Sequence, residues 1–87
     1  MNLSSLTNSG FSILTDGGAV YASRRIERDT TTLEFVIYAN GAIELIEYYQ
    51  GAHEDILALG EVNSVEQALY MFQAINAINT TGKHNIE

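Results

Sequence analysis

Leu33 to Tyr49, LEFVIYANGAIELIEYY, is the stretch that most restricts what this chain can become. Two runs of aliphatic, β-branched and aromatic residues flank Asn40-Gly41, a pair that accepts the positive φ angles of a tight turn, so the segment predicts a β-hairpin. Two registers compete. In a two-residue turn Ala39 faces Ala42, Ile37 faces Glu44, Phe35 faces Ile46 and Glu34 faces Glu47, which sets like charges opposite each other. A bulged turn with Gly41 left-handed instead collects Leu33, Phe35, Ile37, Ile43 and Leu45 on one face, the cleaner apolar set. The other face then carries Glu34, Val36, Tyr38, Glu44, Ile46 and Tyr48, acidic and aromatic together. The bulged register is the expected one.

The same alternation organises what precedes the hairpin. Phe11 to Thr15 and Ala19 to Ile26 read as strands around Asp16-Gly17-Gly18, with Phe11, Ile13, Val20 and Ala22 on one side. Before them, Leu3 and Leu6 lie at helical spacing among weak helix formers, which predicts one helical turn or a coil closed by Gly10. After the central hairpin, residues 50–60 form a connector, a short helix or a further strand, that must bury Ile56, Leu57 and Leu59. The clearest helix runs from about Ser64 to Thr80: Asn63 with Glu66, or Ser64 with Gln67, has capping-box spacing, and Gly82 is a natural stop. Val65, Ala68, Leu69, Met71, Phe72, Ile75 and Ile78 make its apolar stripe, with Asn76 and Asn79 inside the arc and Tyr70 on the opposite side. The tail from Lys83 to Glu87 is expected to be loose. Together these elements predict one α+β domain spanning residues 1–87, an antiparallel sheet of about four strands in two hairpins packed on one C-terminal helix.

An 87-residue chain buries only about 60% of its unfolded surface, so extra burial in a complex is welcome. Apolar content of 46% suits a folded globular chain. Cysteine is absent, which excludes disulfide and thiolate chemistry and agrees with a cytoplasmic location. No apolar run reaches the roughly 20 residues of a membrane-spanning helix, and MNLSSLTNSG lacks the basic and apolar regions of a signal peptide, so a soluble intracellular protein is expected.

The charge is both negative and uneven. Net charge is −7, and from Asp29 to Gly82 the acids Asp29, Glu34, Glu44, Glu47, Glu54, Asp55, Glu61 and Glu66 meet no lysine or arginine. Such a field repels nucleic acid and anionic membrane and attracts basic surfaces, although a surface that serves only solubility has the same signature. Arg24, Arg25 and Arg28 hold three of the four basic charges, and with Glu27 and Asp29 beside them ion pairing or a solvated strand end is expected ahead of phosphate binding.

No reaction is spelled out. His53-Glu54-Asp55 is the one mixed titratable cluster, yet neighbours in an extended stretch point to opposite sides and no second histidine lies at ligand spacing. Gly17-Gly18 opens no helix, so no phosphate loop forms, and there is no serine nucleophile motif. The expectation is a protein without enzymatic activity, cofactor or metal. Tyrosines among acids suit protein interfaces rather than nucleic acid, and Glu34, Tyr38, Glu44, Glu47, Tyr48, Glu54, Asp55 and Tyr70 are the candidate contact residues.

In small size, acidity, compact strands with one capped helix, NSVEQALYMFQAI, and the acidic hairpin LEFVIYANGAIELIEYY, the chain resembles phage-encoded inhibitors of bacterial defence, anti-CRISPR proteins among them. That resemblance implies binding to a nuclease or CRISPR effector in the host cytoplasm, sometimes in the place of DNA. An immunity protein or antitoxin fits the same features, as does a small homodimeric structural or regulatory protein, with Val36, Tyr38, Ile46 and Tyr48 as the apolar part of a shared face.

Overall fold

The computed structural model describes residues 1–49 and 54–85, with side chains described to residue 78. A short 3-10 turn over Ser4–Ser9 leads into five strands, β1 (Ser12–Asp16), β2 (Ala19–Glu27), β3 (Thr31–Tyr38), β4 (Ala42–Tyr49) and β5 (Glu54–Glu61), followed by helix α1 (Val65–Asn85). The sheet is an antiparallel meander in the order β1-β2-β3-β4-β5. The protein is thus of the α+β class predicted, and the additional strand is the connector, which pairs with β4 rather than coiling into a helix.

The central hairpin takes the bulged register. Ile37 pairs with Ile43, Phe35 with Leu45 and Leu33 with Glu47. The Gly41 N–H donates to the Tyr38 carbonyl at 2.9 Å and Gly41 then turns left-handed at φ 96°, which closes a three-residue loop. The physical choice is one of faces: the shorter turn would place Glu44 beside Ile37 in the core, whereas this one pairs Glu44 with Val36 on the far side.

Leu33, Phe35, Ile37 and Ile43 join Leu3, Leu6, Phe11, Ala22, Ile26, Val62, Ala68 and Phe72 in one buried cluster between sheet and helix. Phe72 anchors it, its ring centroid 5.2 Å from that of Phe11 and 5.9 Å from that of Phe35. The helix begins with one of the two predicted caps: Ser64 Oγ accepts from the Gln67 N–H at 3.1 Å, while Gln67 Oε1 accepts from the Asn63 N–H at 2.8 Å.

At its other end the helix departs from expectation. It passes through Gly82 to Asn85, because glycine adopts helical angles as readily as left-handed ones and no proline follows to break the turn. Lys83, His84 and Asn85 are therefore helical in backbone, and residues 86–87 of the expected loose tail lie outside the described residues. Ile75 is the last residue of the stripe packed on the core, and Ile78, expected inside it, is 70% exposed.

The three arginines part company. Arg24 donates to the Ser9 carbonyl at 2.7 Å and lies 4.8 Å from the Phe72 ring centroid, Arg28 bridges to Glu47 at 3.2 Å, and Arg25 lies 5.2 Å from the Tyr48 ring centroid. The expected internal pairing is realised for Arg28, and the cluster does not converge on one phosphate-sized site.

Candidate functional site

Helix α1 covers one face of the sheet. Strand alternation sends the remaining side chains to the open face: Asp16 from β1, then Tyr21, Ser23, Arg25 and Glu27 from β2, Glu34, Val36 and Tyr38 from β3, Glu44, Ile46 and Tyr48 from β4, and Glu54, Ile56, Leu59 and Glu61 from β5. A register shift between Leu45 and Ile46 keeps Ile56 opposite Ile46 while Leu59 faces Glu44. The open face therefore carries the carboxylates of Asp16, Glu27, Glu34, Glu44, Glu54 and Glu61 against the single guanidinium of Arg25.

Its centre is a cleft of about 320 Å³. Val36 and Ile46 form the floor, the rings of Tyr21, Tyr38 and Tyr48 the walls, and Asp16 and Glu34 contribute carboxylates. The Tyr21 and Tyr38 rings lie 5.7 Å apart, tilted by 44°. Hydrogen bonds hold the polar groups in place. Tyr48 donates its hydroxyl to Glu34 Oε1 at 2.5 Å, Ser23, itself buried, donates to Glu34 Oε2, and Tyr38 donates to Glu44 Oε1 at 2.6 Å.

Those bonds alter the phenols. Donation to Glu44, assisted by burial and by the carboxylate's charge, pushes the Tyr38 hydroxyl up to about 12 from an ordinary 10.0. Tyr48 is raised to about 12 in the same way by its bond to Glu34. Both pKa values are higher in the folded than in the unfolded chain, so the stability they contribute is whole below pH 10 and is lost as pH climbs through 12. Allowing for solvent screening on a half-exposed face, about 1 kcal/mol per tyrosine is at stake. Phenolate absorbance recorded during alkaline titration of the folded protein should show these two tyrosines ionising well after a free tyrosine, and Glu44→Gln should bring Tyr38 back toward 10.0.

Of the predicted contact residues, Glu34, Tyr38, Glu44, Tyr48 and Glu54 meet on this face. Glu47 and Asp55 do not. They pair with each other on the helix side of the sheet, where Glu47 takes the Arg28 guanidinium and the Tyr49 hydroxyl. Tyr70 lies on the outer side of α1, 72% exposed, remote in the fold from the sheet's open face. His53 lies outside the described residues, and among the described residues no group of histidines and acids is placed to hold a metal ion. Sequence reasoning left out Tyr21, Ser23, Asp16, Ile56 and Leu59. For Tyr21 and Ser23 the signal was available, since Val20 and Ala22 turned inward require Tyr21 and Ser23 to turn outward.

Comparison of the chain with models of protein families, with curated proteins and with solved structures gives no match. Among the described residues no helix is long and apolar enough to cross a membrane.

Proposed function

We propose that the protein acts without catalysis, as an acidic binding protein whose open sheet face engages a basic surface of another protein and, in doing so, inhibits it. The observation that carries this reading is the composition of that face: six carboxylates to one guanidinium, interleaved with Tyr21, Tyr38, Tyr48, Ile56 and Leu59, and covered by nothing in the described chain. Ile56 and Leu59 are 58% and 71% exposed on an edge strand, an arrangement that a solubilising surface does not need and an interface uses. Spaced carboxylates backed by hydroxyls match surfaces that otherwise hold a phosphate backbone, so the nucleic-acid channel of a nuclease or CRISPR effector is the partner class that this chemistry fits best.

The test is affinity capture from a bacterial lysate at low and at high salt, using the natural chain, Glu44→Arg on the open face and Tyr70→Arg on the helix. The expected result is a basic, nucleic-acid-binding protein retained at low salt, released at high salt, lost with Glu44→Arg and kept with Tyr70→Arg. Capture that is indifferent to Glu44→Arg would refute the assignment of the face. Recovery of a toxin would move the reading to an immunity protein, and recovery of the chain's own copies would move it to a homodimer.

A further inference from the structure

The central cleft differs from the rest of the open face in what its polar atoms are still free to do. Each phenol has one proton to give, and Tyr38 and Tyr48 have given theirs to Glu44 and Glu34. Ser23 has given its own to Glu34 as well. The hydroxyl oxygens retain only lone pairs, and the carboxylates of Asp16 and Glu34 are acceptors throughout. Around the cleft the bonded hydroxyls and the carboxylates thus offer acceptors, above an apolar floor and between aromatic walls. Of the three lining phenols only Tyr21 keeps its proton to give, so acceptors outnumber donors in the cleft and the carboxylates of Asp16 and Glu34 disfavour an anion. The matching ligand is rich in donors, carries positive charge and presents a flat surface to a ring.

That description separates the two basic side chains. Lysine's ammonium is a compact, strongly hydrated point charge, whereas the guanidinium of arginine is planar, weakly hydrated, and stacks on aromatic faces while its edge donates to several acceptors. One wall already packs beside such a group: the Arg25 guanidinium sits 5.2 Å from the Tyr48 ring centroid, outside the cleft itself.

We propose that this cleft is a receptor for a guanidinium group, the side chain of a single arginine presented by the protein's partner. It seats the plane of the group against the tyrosine rings, with its N–H edges on Glu34, Asp16 and the Tyr38 and Tyr48 hydroxyl oxygens. The source of the arginine rests on the proposed function, but the chemistry of the cleft does not. A buried, stacked arginine at the middle of an interface is the kind of contact that dominates binding energy, with the surrounding carboxylates at the rim steering the approach.

Titration of the isotopically labelled protein with N-acetyl-arginine amide, followed by NMR, tests this directly. N-acetyl-citrulline amide, the neutral isostere, and N-acetyl-lysine amide serve as the comparison ligands. The expected result is saturable movement of the Tyr21, Tyr38 and Tyr48 ring signals and the Ser23 and Val36 amides with the arginine ligand. Binding to lysine should be at least threefold weaker, and to citrulline undetectable. Tyr38→Phe, which keeps the ring and removes an acceptor, should weaken arginine binding at least threefold, and so should Tyr21→Leu, which removes a wall. The amide spectrum of each variant verifies that it is folded. Equal response to citrulline or lysine, movement confined to the Glu54 and Glu61 ends of β5, or no movement at all would overturn the assignment. The two readings fail separately: arginine binding without a captured partner keeps the cleft and removes the function, while a captured partner with no arginine response does the reverse.

Discussion

Phe72→Ala should cost about 3–5 kcal/mol, the range for truncating a fully buried aromatic side chain. Phe72 is 2% exposed, and its ring is shared by three elements: Phe11 entering from the N-terminal turn, Phe35 from the middle of β3, and the guanidinium of Arg24 from β2. Removing it leaves a cavity whose walls are strands fixed by backbone ladders, so they have little freedom to collapse inward. A domain of this length is stabilised by roughly 5–10 kcal/mol in all, so the loss removes about a third of that or more. Urea unfolding followed by circular dichroism measures the loss. Tyr70→Ala, two positions earlier and exposed, should change stability by no more than about 0.5 kcal/mol. A Phe72→Ala loss under about 1.5 kcal/mol would show that α1 is not the lid of this core.

Gly41→Ala should be the second most damaging single change, at about 2–4 kcal/mol. Its φ of 96° is a conformation in which an L side chain costs about 1–2 kcal/mol. A Cβ there would also lie 2.6 Å from the Val62 carbonyl oxygen, adding an overpacking cost of about 1–3 kcal/mol. The approach is close because the turn is tied down, the Val62 N–H donating to the Gly41 carbonyl at 2.8 Å. Gly17→Ala separates the two contributions. Gly17 also has positive φ, at 60°, but has open space where its Cβ would stand, so only about 1 kcal/mol should be lost. Equal losses from the two variants in parallel melts would mean that the contact with Val62 contributes nothing.

Much of this architecture was legible one strand at a time. Asn40-Gly41 with its flanking alternation determined not only a hairpin but its bulged register, because that register keeps Glu44 off the face of Ile37 and stops Glu34 from facing Glu47. Asp16-Gly17-Gly18 and the Ser64 to Gln67 spacing marked the first hairpin and the helix start in the same local way. Period two also separated Glu34, Tyr38, Glu44 and Tyr48 from the core residues between them, which is why those four were legible as one surface. Local signals fail where the partner is distant in sequence. The residues of 54–61 have no alternation strong enough to reveal a strand, and become one because β4 offers an open edge.

The charge pattern divides at the same boundary. The sequence by itself determined a hairpin-rich fold with a long acidic stretch and an acidic, aromatic outer face. It did not determine which acids act together, since eight carboxylates in a linear chain are equivalent until the strands are laid side by side. Tertiary pairing alone turned Glu47 to Arg28 and Asp55 to Glu47 on the helix side, and brought Ser23 and Tyr48, from strands on either side of β3, onto the two oxygens of Glu34. The reason is geometric. Side-chain direction in a strand is set by alternation within the strand, but neighbours across a sheet are set by strand order and register, and those depend on where every other strand buries its apolar face.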